Sequence, residues 1–127
     1  MVGRGVLFLC VANSARSQMA ESIARSLAPV GVPIHSAGSH PGRVHPLALR
    51  SLEEIGLDAS THGSKGIGEV PMDDIGMVVT LCADEVCPVL PPGVEHLHWP
   101  LPDPEGIESF RAARDELTRR ITDLFGS

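Results

Sequence analysis

The sequence predicts an α/β domain: a three-layer sandwich in which a four-stranded parallel sheet is flanked by helices. Two short runs, residues 5–9 and 75–81, are apolar or small almost without alternation, the pattern of strands buried on both faces of a parallel sheet. Segments of helical period stand between and after these runs, so the chain returns to the sheet through helices. With 43% hydrophobic and 20% charged residues in 127, the chain has the size and composition to close one core without a disulfide or metal staple. A single domain over residues 1–127 is expected.

The first strand leads directly into Cys10. From Ser17 the period changes: Met19, Ala20, Ile23, Ala24 and Leu27 fall on one helical face, and Pro29 with Gly31 closes the helix. Residues 33–37 form a second strand, followed by the turn-rich stretch Gly38-Ser39-His40-Pro41-Gly42. Pro46 suits the first position of a second helix with the face Leu49, Leu52 and Ile55, and Gly56 is its expected stop. Residues 58–74 are polar and glycine-rich and read as a loop containing a short helix. Residues 75–81 and 94–99 supply the third and fourth strands. Ile107, Phe110, Leu117, Ile121 and Leu124 mark the buried stripe of a C-terminal helix. This order, βαβαβ(β)α, is that of a flavodoxin-like sandwich.

Composition removes several classes of function. The formal net charge is −6 and Lys and Arg form no run, whereas nucleic-acid binding needs a clustered basic face. One Trp, three Phe and no Tyr are too few for a base-stacking platform. No apolar stretch approaches the roughly 20 residues that cross a bilayer, so no membrane partner is expected. The apolar residues 6–12 that follow Arg4 are short for a leader peptide and read better as the buried strand. Three cysteines, an odd number, without an export signal point to reduced thiols used for chemistry in the cytoplasm. There is no Cys-x-x-Cys pair, and His96 and His98 on one face of a strand read as structural, so no metal is expected.

The chemistry is concentrated in Cys10-Val11-Ala12-Asn13-Ser14-Ala15-Arg16-Ser17, where the first strand ends and the first helix begins. In an open parallel sheet, ligands bind at that edge. Five residues between Cys10 and Arg16 can curl into a ring of backbone N–H groups above a helix N-terminus, a site for a tetrahedral oxyanion. Val11, Ala12, Asn13, Ser14 and Ala15 would line that ring, and Arg16 can grip two oxygens with a fork that Lys does not reproduce. The nucleophile of such a site is a thiolate, a form that a helix N-terminus and a guanidinium favour, and Ser17 is placed to donate to the sulfur.

On these residues the chain resembles the low-molecular-weight protein tyrosine phosphatase superfamily, and within it the arsenate reductases that discharge through thioredoxin. Nearly the whole chain takes part. Cys10 through Ser17 match the anion loop, and Ser17-Gln18-Met19-Ala20-Glu21 continue the reductase pattern. Ser36-Ala37-Gly38 and Val44-His45-Pro46 are similar to the second strand and helix entry. Thr80-Leu81-Cys82 with Cys87-Pro88 match the redox segment, and His98-Trp99 leads to Asp103-Pro104, which matches the general acid. The resemblance implies the low-molecular-weight phosphatase fold, Asp103 as the acid that protonates the departing oxygen, and Cys82 and Cys87 as a redox disulfide with a transient Cys10–Cys82 bond.

Two features separate a reductase from a phosphatase using the same Cys10, Arg16 and Asp103. The tyrosine phosphatases of this superfamily carry aromatic residues beside the acid to hold a phenyl ring. Here Pro104-Glu105-Gly106 follow Asp103 and the chain has no Tyr, which suits a small inorganic anion. The second feature is the pair Cys82 and Cys87, close enough in sequence to close a disulfide after modest rearrangement. The expectation is therefore a monomeric arsenate reductase with no bound cofactor, thioredoxin as electron donor, and phosphate or sulfate as competing anions. The four residues between Cys82 and Cys87 are fewer than in better-known thioredoxin-coupled members. Some members hold a potassium ion beneath the loop. Asn13 and Glu21 match two of its ligands, and Gly63 and Lys65 stand at later ligand positions, so the Lys65 ammonium is expected in the ion's place.

Overall fold

The computed structural model describes residues 5–10, 15–38, 44–58, 66–82, 93–102 and 104–125. Among them, β1 (Gly5–Cys10), β2 (Ile34–Gly38), β3 (Ile75–Thr80) and β4 (Glu95–His98) form one parallel sheet in the order β2-β1-β3-β4. The helices are α1 (Arg16–Leu27), α2 (Pro46–Glu53) and α3 (Ile107–Phe125).

Every residue of β1 is buried, because it has a strand on each edge and a packed layer on each face. Its alternation is therefore between two cores and not between core and water. Val6, Phe8 and Cys10 join Met19 and Ile23 of α1, Leu52 of α2, and Phe110 and Leu117 of α3 in one cluster. Leu7 and Leu9 join Ala37, Val70, Ile75 and Val78 in the other. All three α-helices thus share one face of the sheet. On the opposite face the described cover is the segment 66–74, which holds two 3-10 turns, Ile67–Glu69 and Met72–Asp74. That layer is built from turns because residues 58–74 carry no apolar helical stripe. Each large side chain sealed in these cores contributes about 1.5–3 kcal/mol of transfer free energy.

Local chemistry sets the ends of the elements. The chain leaves α1 at Ala28, whose ψ of 148° is extended as the following Pro29 requires, and Gly31 then turns with φ +91°. Pro46 opens α2, and His45 caps it, with its Nδ1 accepting from the Leu47 N–H at 3.1 Å. At the other end Leu57 N–H donates to Leu52 O and Gly56 N–H to Glu53 O, the paired bonds of a Schellman stop, with Gly56 at φ +83°. The expected apolar face of α2 needs correction. Leu52 is buried and Leu49 half-buried, but Ile55 is 42% exposed because the stop turns it away, and Ala48 and Ser51 complete the buried face. β4 is also shorter than residues 94–99 and, among the described residues, pairs only with β3.

Gly5 is where three segments meet most closely. A Cβ there would lie 2.6 Å from Asp74 O and 2.9 Å from Pro33 O, beside a register shift between Gly5 and Val6. β1 lies between β2 and β3, so the chain reverses its direction across the sheet at β1. Such a switch opens a crevice at the carboxyl ends of the two strands, here between Cys10 and the end of β3.

Candidate active site

Cys10 is the last residue of β1 and is 2% exposed. Its Sγ lies 2.9 Å from the Oγ of Ser17, which stands in the first turn of α1 and is fully buried. The residue before that helix is Ala15, which has no atom to cap it, and the first turn contains no acidic side chain. The positive end of the helix dipole is therefore not offset by a carboxylate of its own turn.

Arg16 is buried, and its Nη1 donates to two backbone carbonyls, Leu81 O at 3.3 Å and Leu101 O at 2.9 Å. A buried guanidinium needs such partners, and two carbonyls from different segments fix the plane of its fork. Both segments belong to the same edge of the sheet. The Leu81 N–H donates to Leu9 O at 2.9 Å, which sets the residues after β3 beside the end of β1. The Leu101 N–H donates to Leu81 O at 3.2 Å, which ties in the loop that runs to Asp103. Cys82 follows Leu81 directly, is 0% exposed, and like Cys10 is not in a disulfide.

The fold thus brings Cys10, Ala15, Arg16, Ser17 and the segment carrying Cys82 to one crevice. Val11, Ala12, Asn13 and Ser14 of the loop, and Gly63, Lys65, Cys87 and Asp103, lie outside the described residues. The neighbours of Asp103 do not: Pro102 is exposed and Pro104 buried. Of the residues matched to a potassium site, Glu21 is described and is 2% exposed. Ser36 Oγ donates to its Oε1 at 2.5 Å, and Arg25 Nη2 lies 3.0 Å from its Oε2. Both carboxylate oxygens are thus engaged by side chains of the chain itself. No group of three or more His, Cys, Asp or Glu that could hold a metal ion occurs among the described residues.

Sequence reasoning did not find the two carbonyls that anchor Arg16, since backbone atoms carry no side-chain signature. It also left His96 and His98 without partners. Both imidazoles converge on one buried hydroxyl: Thr80 Oγ1 lies 2.9 Å from His96 Nε2 and 2.7 Å from His98 Nδ1. The signal was available in the alternation His96-x-His98 opposite a Thr at the end of the neighbouring strand.

The profile of the family described as low molecular weight phosphotyrosine protein phosphatase matches residues 5–127. The chain is 40% identical over 123 residues to the arsenate reductase of Staphylococcus xylosus, covering 94% of each protein. It is 38% identical over 123 residues to arsenate reductase 1 of Staphylococcus haemolyticus strain JCSC1435, covering 94% of this chain and 92% of that one. Among solved structures, an arsenate reductase in the phosphate binding state superposes with a TM-score of 0.85 at 36% identity, over 95% of both chains. A thioredoxin-dependent arsenate reductase of Corynebacterium glutamicum gives 0.78 at 33%, over 97% of this chain and 60% of that one. Other neighbours are described as arsenate reductases in oxidized, reduced and intermediate states.

Proposed function

Since the chain belongs to the low molecular weight phosphotyrosine protein phosphatase family, we propose that it is an arsenate reductase working through Cys10, Cys82 and Cys87. One observation carries the reading: two buried, unbridged cysteines stand on neighbouring segments at the β1–β3 crevice, with Arg16 bonded to the carbonyl next to Cys82. A phosphatase needs only the first of these thiols.

The loop from Val11 to Ala15 and the Arg16 fork receive arsenate, a tetrahedral anion that this arrangement binds by charge and shape. The Cys10 thiolate attacks arsenic, and the departing oxygen takes a proton from Asp103 and leaves as water. The Cys82 thiolate then attacks the Cys10 sulfur. A sulfur–sulfur bond forms, the sulfur–arsenic bond breaks with its electron pair on arsenic, and arsenite leaves. Two thiols have supplied the two electrons. Cys87 next attacks Cys82, releasing Cys10 as thiolate and leaving the Cys82–Cys87 disulfide for a dithiol protein. Thioredoxin is the donor in this reading, as for the C. glutamicum neighbour described as thioredoxin-dependent. A monomer in a reducing compartment, the cytoplasm, suits thiol chemistry of this kind.

The test is arsenate-dependent NADPH oxidation in the presence of thioredoxin and thioredoxin reductase. Oxidation that requires all components, and that phosphate or sulfate slows competitively, is expected. Turnover of p-nitrophenyl phosphate without any arsenate-dependent oxidation would make the chain a phosphatase instead.

A further inference from the structure

We propose that Thr80, His96 and His98 form a positioning cluster for the second nucleophile, holding the end of β3 as a fixed base from which Cys82 reaches Cys10. The inference rests on the role given to Cys82 above.

Thr80 is the last residue of β3 and is 1% exposed, whereas His96 and His98 are exposed on the short edge strand β4. Its hydroxyl has one proton and two lone pairs. Three partners meet that capacity: the two imidazole nitrogens at 2.9 and 2.7 Å and Leu97 O, a longer acceptor at 3.5 Å. Held from two sides by these rings, the Thr80 side chain is fixed in one rotamer. A single buried hydroxyl could be satisfied by one partner. Two side chains from an edge strand of four residues, aimed at the same atom, make a clamp.

The clamp sits where the redox segment begins. Thr80 O accepts from the Trp99 N–H at 2.9 Å, so side chain and backbone of Thr80 are both bound to β4 or its continuation. The next residue, Leu81, is held by Leu9 O, by the Leu101 N–H and by Arg16. Cys82 is next. In the proposed attack Cys82 must reach the Cys10 sulfur while Arg16 and Cys10 keep their places. A strand end that shifted with Cys82 would carry the Leu81 carbonyl away from Arg16. The cost of poor placement is large, since a misplacement of about 1 Å can lower a rate roughly a hundredfold.

The cluster is tested in a Cys87→Ser background, where the reaction stops at Cys10–Cys82. The rate of that bond's formation after arsenate is read by quenching, alkylation and peptide mass spectrometry, and phosphate affinity is read by calorimetry on the same proteins. Thr80→Val should slow disulfide formation about tenfold while phosphate affinity stays within about twofold, and Thr80→Ser should restore the rate. The His96→Gln, His98→Gln double variant, altered only on the exposed edge, should behave as Thr80→Val and serves if that variant does not fold. An unchanged rate in both, or a parallel fall in rate and phosphate affinity, overturns the proposal. If the parent Cys87→Ser protein forms no Cys10–Cys82 bond at all, the fault lies with the role of Cys82, and the cluster falls with it.

Discussion

Ser17 Oγ stands 2.9 Å from Cys10 Sγ, across the junction at which β1 gives way to α1. Both groups are buried, so the hydroxyl is well placed to donate to the sulfur when it is a thiolate. A hydrogen bond to a charged group is worth about 1.5–3 kcal/mol, which corresponds to roughly ten- to hundredfold in rate. Ser17→Ala should lower arsenate turnover by that factor and leave phosphate binding nearly unchanged, as measured by steady-state kinetics and calorimetry. Equal turnover in the two proteins would remove Ser17 from the site.

Arg16 is bound to Leu81 O and Leu101 O through one terminal nitrogen, a contact a lysine ammonium cannot combine with a fork toward an anion. Arg16→Lys should therefore lose turnover by about a hundredfold or more, with weaker phosphate competition in the same assay. A conservative effect of twofold or less would mean that Arg16 only supports the two loops.

The crowding at Gly5 makes a separate prediction about the fold. Alanine there would press its Cβ onto two carbonyl oxygens that belong to neighbouring backbone. Gly5→Ala should cost about 1–3 kcal/mol in urea unfolding, with turnover per folded molecule little changed, because Gly5 lies at the opposite end of β1 from Cys10. Wild-type stability in this variant would show that the sheet opens there at no cost.

The surface where α2 meets α3 predicts a pH dependence. The Arg111 guanidinium, bonded to Glu54, and Arg114 beside it hold the Glu54 carboxyl down at about 2, against an ordinary 4.5. A carboxyl whose value is depressed by folding stabilises the folded state fully above its unfolded value and ceases to do so as pH falls through its folded value. Glu54→Gln should therefore melt slightly lower than wild type above pH 4.5, with the gap closing as pH drops toward about 2. The difference should be small because the pair is solvent-screened. A gap that widens in acid would have the sign wrong.

Much of this molecule is legible in its residues because burial on both faces leaves a plain mark. Residues 5–9 and 75–81 lack alternation since each strand has packed layers above and below, and Pro46 and Gly56 mark the start and stop of α2 by their own backbone chemistry. Ile55 misled because the helical period says nothing about where a Schellman turn swings the chain. In the site, Cys10, Arg16 and Ser17 could be placed because a thiol, a guanidinium and a hydroxyl at that spacing have few other uses at a strand–helix junction. The anchoring of Arg16 by residues 65 and 85 positions away could not, for it depends on how β3 and the Leu101 segment arrive at the same edge.

The central claim is the passage of one disulfide from Cys10 to Cys82 to Cys87, and one measurement tests it most directly. The reduced protein is given arsenate for a single turnover without reductant, quenched by alkylation, and mapped by peptide mass spectrometry. Wild type should accumulate Cys82–Cys87 with Cys10 free, and Cys87→Ser should hold the Cys10–Cys82 bond. Full multiple-turnover activity of Cys87→Ser with thioredoxin, or arsenite release with all three thiols still alkylatable, would contradict it.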